Sequence, residues 1–226
     1  DHEMEIKNLK QKYQAENEYL QAKLQQSSDI SGSEEQSMEH DDMIEYQNFK
    51  EDAWTGRLKH LKIPSTIKCI GKSDFLSCTS LVTVHIPESV VSIDENAFAS
   101  CSSITKIKIP STVLQIGKGA FSKCISLGEV EIPNSVISIG DGAFSDCKKL
   151  RQLIVPSSVT SIGKGAFSDC TSLAQIYLSS SLTTLRSYTF SGCSLLQEIV
   201  MPFRVQSIND FCFSGCISLA RITIPS

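Results

Sequence analysis

Nine cysteines are the residues whose chemistry would matter most if their spacing brought them together. Seven of them, at 78, 101, 124, 147, 170, 193 and 216, recur at a constant interval of 23. A zinc site draws thiolates from short local spacings such as Cys-x-x-Cys, and a gap of 22 residues is not one, so no metal is expected. Equivalent residues on neighbouring strands stand about 4.8 Å apart. That exceeds the roughly 3.8 Å between Cβ atoms that a disulfide prefers, and buried free thiols are the expected state. Cys69 occupies a position that is serine in other units and Cys212 one that is alanine, so both read as small-residue replacements.

The remaining chemical motifs dissolve in the same way. Gly71-Lys72-Ser73 resembles the end of a phosphate-binding loop, but the first glycine that loop needs is Thr66 here. Gly117-x-Gly119, Gly140-x-Gly142 and Gly163-x-Gly165 lack a third glycine and recur with the period, as turn residues do. Of the four histidines, His60 and His85 come near one another only diagonally on a sheet. No nucleophile, base and acid converge, so neither a catalytic residue nor a cofactor is expected and the chain does not read as an enzyme.

The interval itself is the main message. Pro64, Pro87, Pro110, Pro133, Pro156, Pro202 and Pro225 fall at multiples of 23, with Ser179 in the one vacant slot, and phenylalanine recurs at 75, 98, 121, 144, 167, 190 and 213. Within a unit, Leu127-Gly128-Glu129-Val130-Glu131-Ile132-Pro133 ends in apolar-polar alternation, which predicts a strand with one buried face that proline terminates. Val136 and Ile139 then point inward on a second side, Gly140 allows a turn, and Ala143, Phe144 and Cys147 predict a short helical or 3₁₀ third side. One unit is one coil, and stacked coils bury a continuous core beside a parallel sheet.

The columns Leu-x-x-Ile-x-Ile-Pro, Ser-Val-x-Ser-Ile-Gly and Ala-Phe-x-x-Cys resemble the BspA-like leucine-rich repeats, over about residues 58–226. The resemblance implies a leucine-rich-repeat solenoid, a right-handed superhelix of about seven repeats with short parallel strands on its concave face. It also implies protein recognition, often in adhesion at microbial cell surfaces.

Two outward columns can be read along the strands. One is His60, Thr83, Lys106, Glu129, Gln152, Gln175, Glu198, Arg221; the other is Lys62, His85, Lys108, Glu131, Ile154, Tyr177, Val200, Thr223. Lys106 beside Glu129 and Lys108 beside Glu131 predict cross-strand pairs. Ile154, Tyr177 and Val200 are three successive apolar residues with no core to fill, and Phe203 extends them, so the expected protein-binding surface is Gln152, Ile154, Gln175, Tyr177, Glu198, Val200 and Phe203.

Residues 1–52 carry 14 Asp+Glu against 5 Lys+Arg, and the remainder 11 against 16, so the two parts differ in kind. Residues 1–26 lack Pro and Gly, and Ile6, Leu9, Tyr13, Leu20 and Leu24 make an imperfect heptad pattern, so an α-helix forming part of a coiled coil and self-associating is expected. A flexible acidic linker at 27–39 follows, then an N-terminal cap at 40–57 that covers the first coil with Met43, Ile44, Tyr46, Phe49 and Trp54. The array stops in mid-coil at Ser226, and its continuation is expected.

These features lead to a non-catalytic protein-binding module for multivalent adhesion or scaffolding, its protein partner unnamed. The alternative is a structural spacer whose helix oligomerises. Nucleic-acid binding is disfavoured because the basic residues are scattered and lack interleaved stacking aromatics. No run of 18 apolar residues predicts a membrane span. Free thiols and the absence of Asn-x-Ser/Thr sequons lean towards the cytoplasm, whereas the family resemblance points to the cell surface.

Overall fold

The computed structural model describes residues 50 and 52–224. They form a parallel-strand solenoid of about seven turns. The strands in chain order are β1 (His60–Lys62), β2 (Cys69–Ile70), β3 (Thr83–His85), β4 (Ser92–Ile93), β5 (Lys106–Lys108), β6 (Gln115–Ile116), β7 (Glu129–Glu131) and β8 (Ser138–Ile139). They continue with β9 (Gln152–Ile154), β10 (Ser161–Ile162), β11 (Gln175–Tyr177), β12 (Thr184–Leu185), β13 (Glu198–Val200), β14 (Ser207–Ile208) and β15 (Arg221–Thr223). Odd-numbered strands are the sequence-predicted ones. Even-numbered strands are a second, two-residue strand per coil, on the side where only inward-pointing Val and Ile were expected.

Coils are numbered here from the proline column, so that coil one is 64–86 and coil seven is 202–224. The long strands from β1 to β13 alternate out, in, out, because the middle Leu, Ile or Val packs into or against the core while its flanking residues face solvent, whereas Ile222 at the middle of β15 is exposed. The core is one continuous cluster built from these middle residues together with the Val, Ile, Phe, Cys and Leu columns. Its spine is a ladder of rings: neighbouring phenylalanines from Phe75 to Phe213 stack nearly parallel with centroids between 5.2 Å and 5.8 Å. Exact repetition forces this stacked geometry, since each ring has only its own copies above and below.

All nine cysteines are free, as the spacing predicts. The column has a further use. Six of its seven thiols donate to the carbonyl of the phenylalanine 26 residues earlier, from Cys101 to Phe75 O at 3.0 Å through Cys216 to Phe190 O at 3.1 Å. Cysteine is thus the small apolar side chain that also engages a buried carbonyl, which alanine cannot do. Serine and threonine hydroxyls add a second set of ties, as in Ser89 to Ile67 O at 2.7 Å and Thr112 to Val90 O at 2.6 Å.

The third side is not the short helix or 3₁₀ segment the spacing predicts. Alternate N–H groups stay within the coil and reach the next one: Ala97, Ala99 and Cys101 donate to Asp94, Asn96 and Phe98, while Asn96, Phe98 and Ser100 donate to Lys118, Ala120 and Ser122. Two left-handed residues per coil, such as Asn96 (φ 56°) and Ser100 (φ 61°), break any helical run and turn the intervening amides outward.

Before the first coil, residues 50 and 52–54 are helical, with Ala53 buried in the core and Trp54 and Leu58 packed against it. Lys50 forms a 2.7 Å ion pair with Asp74, and both side chains are buried. Asp74 sits in the column that is Ala97, Ala120, Ala143 and Ala166 in coils two to five, and it also accepts from the Gly71 amide at 2.7 Å. The expected helix at 1–26, the linker at 27–39 and most of the expected cap lie outside the described residues.

The ladders are not continuous. The long strands pair as β1–β3, β5–β7, β9–β11 and β13–β15, whereas the short strands form a five-stranded run from β2 to β10 and then a separate pair, β12–β14. The junction between coils five and six is the only one among the described residues where both ladders stop.

Candidate protein-binding surface

Alternation on the long strands presents two side chains per coil to solvent, so the chemistry of this face is set by two residues in every 23. On the opening strand and in coils one to three those residues are charged or polar. Lys106 Nζ meets Glu129 Oε2 at 2.6 Å, the first of the two expected pairs. That carboxylate holds the Lys106 ammonium above the usual lysine range, through the hydrogen bond first and the charge second. Lys108 and Glu131 are register partners, but no ion pair closes between them. Towards the far end, Glu198 Oε2 lies 3.6 Å from Arg221. These exposed pairs are screened by solvent and contribute little to stability.

The predicted apolar stretch is on the surface, with Ile154 65%, Tyr177 60%, Val200 59% and Phe203 70% exposed. Ile154 and Tyr177 are direct register partners across β9 and β11, as are Gln152 and Gln175, so these four form one patch. Val200 and Glu198 stand on β13, which is hydrogen-bonded to β15 and not to β11. Phe203 follows its proline, and its ring carries the Arg204 guanidinium at 5.5 Å from the centroid.

What reading the sequence passed over lies on another side. Tyr188 and Phe211 stack with centroids 5.1 Å apart, and Lys164 Nζ sits 5.2 Å from the centre of the Tyr188 ring. The signal was in the columns: positions 119, 142 and 165 are glycine, and 188 and 211 replace it with bulky aromatics.

Among the described residues no group of three His, Cys, Asp or Glu side chains could hold a metal, and no helix is long and apolar enough to cross a membrane. Burial, before any other cause, pushes the Cys101, Cys124, Cys147 and Cys193 thiols well above the usual range, Cys170 to about 12 and Cys212 to about 11. These sulfurs are held as thiols rather than as nucleophilic thiolates.

The chain matches the model of the BspA type leucine rich repeat region in six copies, over residues 43–135 and 114–226. A leucine-rich repeat protein from Bacteroides ovatus is similar in structure, with 35% identity over 74% of this chain and 45% of its own, at a TM-score of 0.71. The T. pallidum leucine rich repeat protein is 32% identical, over 71% of this chain and 78% of its own, at 0.66. The pneumococcal vaccine antigen PcpA, 24% identical over 76% of this chain and 53% of its own at 0.54, shares the fold. The chain spans less than half the length of the B. ovatus protein. No curated protein matches it. With the family model covering the array and the Phe and Cys columns buried in one core, this chain belongs to the BspA-type leucine-rich repeat family.

Proposed function

We propose that this chain is a non-catalytic protein-binding module for multivalent adhesion or scaffolding, and that its partner docks on the long-strand face at Gln152, Ile154, Gln175, Tyr177, Glu198, Val200 and Phe203. The carrying observation is a change of chemistry at one repeat position. The opening strand and coils one to three place Lys62, His85, Lys108 and Glu131 there, and the next three strands, in coils four to six, place Ile154, Tyr177 and Val200, all exposed. An exposed apolar residue at a position whose equivalents are charged gains nothing for the fold. A tyrosine flanked by aliphatic residues is, however, a good anchor for a protein surface.

In this reading residues 40–57 cap the array and residues 1–26 gather copies of the chain, so that several strand faces act together and avidity exceeds any one contact. Light scattering of the full chain at tens of micromolar tests the second part, and a monomer removes the helix as a sufficient oligomeriser.

The binding surface is tested by affinity capture on the full chain against a Tyr177→Asp/Val200→Asp variant whose thermal unfolding matches the parent. A protein held by the parent and lost from the variant supports the surface. Identical captures, or none, favour a rigid spacer that associates only through its helix.

A further inference from the structure

Coil six departs from the repeat at several positions at once. It has Ser179 for the proline, Thr184-Leu185-Arg186 for Ser-Ile-Gly, Tyr188 for the left-handed glycine and Thr189 for the alanine. Its junction with coil five is where both strand ladders stop, and the hydroxyls are rewired there. Ser179 Oγ donates to Val159 O at 2.6 Å, a bond that the serine or threonine two residues after the proline makes in coils two to four. The third-side bonds continue, with Gly165, Phe167 and Asp169 donating to Ser187, Thr189 and Ser191. The two coils are therefore joined along one side and part on the short-strand side.

An open cleft of about 490 Å³ lies at that parting. Its charged residues are Lys164, Arg186 and Asp141, and its walls carry hydroxyl and amide side chains, among them Ser161, Thr184, Ser187 and Asn209, with no apolar side chain. Asp141 Oδ1 already accepts from the Lys164 backbone amide at 2.7 Å. Among the described residues, neither the Lys164 ammonium nor the Arg186 guanidinium has a carboxylate within ion-pair distance. The rim beside Ser187 is the column formed by Lys164, Tyr188 and Phe211.

That column is maintained against its own backbone. Tyr188 and Phe211 have φ of 62° and 57°, the conformation the repeat gives to Ser73, Asn96, Gly119, Gly142 and Gly165, and both rings are exposed. Bulky side chains at positive φ are uncommon because Cβ crowds the following carbonyl. Two of them stacked at consecutive copies of a position that holds Ser, Asn or Gly in coils one to five, beside a cleft at the doubly broken junction, mark a place where local structure yields to function.

We propose that this cleft binds an acidic saccharide. The carboxylate or sulfate pairs with Lys164 and Arg186, the fork of the arginine suiting two oxygens of one group. The sugar hydroxyls exchange hydrogen bonds with the threonine, serine and asparagine walls, and the C–H face of a ring lies against the exposed aromatic column. An acidic peptide would satisfy the cations but brings no set of hydroxyls to pair with the threonine, serine and asparagine walls. The site is separate from the strand face, so the two readings fail separately.

Calorimetry on the full chain tests this with tetrasaccharides of hyaluronan, chondroitin sulfate and oligogalacturonate, with chitotetraose as the neutral control and a hexaglutamate peptide as the acidic control. At least one acidic saccharide should bind about tenfold or more tighter than either control in about 0.1 M salt, where exposed charge is already screened. Lys164→Gln/Arg186→Gln and Tyr188→Gly should each weaken it by about tenfold, while Tyr177→Asp leaves it unchanged. Arg186→Gln alone keeps the test decisive if Tyr188→Gly does not fold, because the arginine side chain is exposed. The proposal is overturned if no acidic saccharide binds, if chitotetraose or the peptide binds as tightly, or if the cleft variants retain parental affinity.

Discussion

Phe144 illustrates how a single residue is constrained in a solenoid. Its ring lies between those of Phe121 and Phe167, at 5.3 Å and 5.8 Å, with no solvent exposure and no neighbour free to collapse towards it. Phe144→Ala should therefore cost roughly 3–5 kcal/mol in urea unfolding, and a loss below about 1 kcal/mol would contradict the spine as a source of stability. Glycine positions separate two kinds of constraint. At Gly142, φ is +58° and a Cβ would make only ordinary contacts, so Gly142→Ala reports backbone strain alone, about 1 kcal/mol. At Gly140 the same atom would meet the Lys118 amide nitrogen at 2.5 Å, so Gly140→Ala should cost clearly more in the same assay. Tyr188→Gly and Phe211→Gly run the comparison backwards. Relief of strain offsets the lost ring contact and the added freedom of the unfolded chain, and stability should change by less than about 1 kcal/mol. A stability-neutral loss of two large aromatics would mean that the fold does not need them.

At the scale of elements, the start of the array rests on a polar contact. Asp74 occupies an otherwise alanine column and meets Lys50 from the helical residues before coil one. A buried pair adds little net stability but fixes which surfaces meet, because losing one partner strands the charge of the other. Lys50→Met should cost about 3–5 kcal/mol by chemical unfolding, and adding Asp74→Ala should recover most of it. If the double variant is no more stable than the single one, the pair does not set that register. The junction between coils five and six is the corresponding weak point further along, held by third-side amides and serine hydroxyls after both ladders stop. Asp94 and Asn209 occupy the same column as Arg186 while their strands remain paired, so side-chain bulk in that column is not by itself what parts the coils.

Across the whole molecule, the thiol column links stability to pH. Burial raises the folded values of Cys101, Cys124, Cys147, Cys170, Cys193 and Cys212 above the ordinary thiol value near 9. Below that value both states are protonated and the column contributes fully. Above it the unfolded chain loses protons that the folded chain keeps, so unfolding gains free energy as pH rises. Stability should fall from about pH 9 upward, each such thiol contributing up to about 1.4 kcal/mol per pH unit, until its folded value is reached. For Cys212 that is about 11 and for Cys170 about 12. Unfolding under reducing conditions between pH 7 and 10 measures the slope. A Cys147→Ala/Cys170→Ala/Cys193→Ala variant should show a shallower one, and an equal slope would show that other groups carry the effect.

The sequence by itself determined whatever is local and repeated. A period of 23 with fixed Pro, Phe and Cys columns dictates one coil per unit, strands that end at proline, a stacked aromatic spine and thiols too far apart to join. It also determined the outward residues of each long strand, because alternation along three residues needs no knowledge of the neighbouring coil. Tertiary structure alone decided what passes between coils. The third side ladders to the next coil instead of closing into a helix, the long-strand sheet divides into pairs, and Lys164 in coil five comes to lie over Tyr188 in coil six. The physical reason is that these contacts join residues at intervals of about one period. Their geometry depends on how each coil is seated on the last, and a pattern within one repeat carries no term for that.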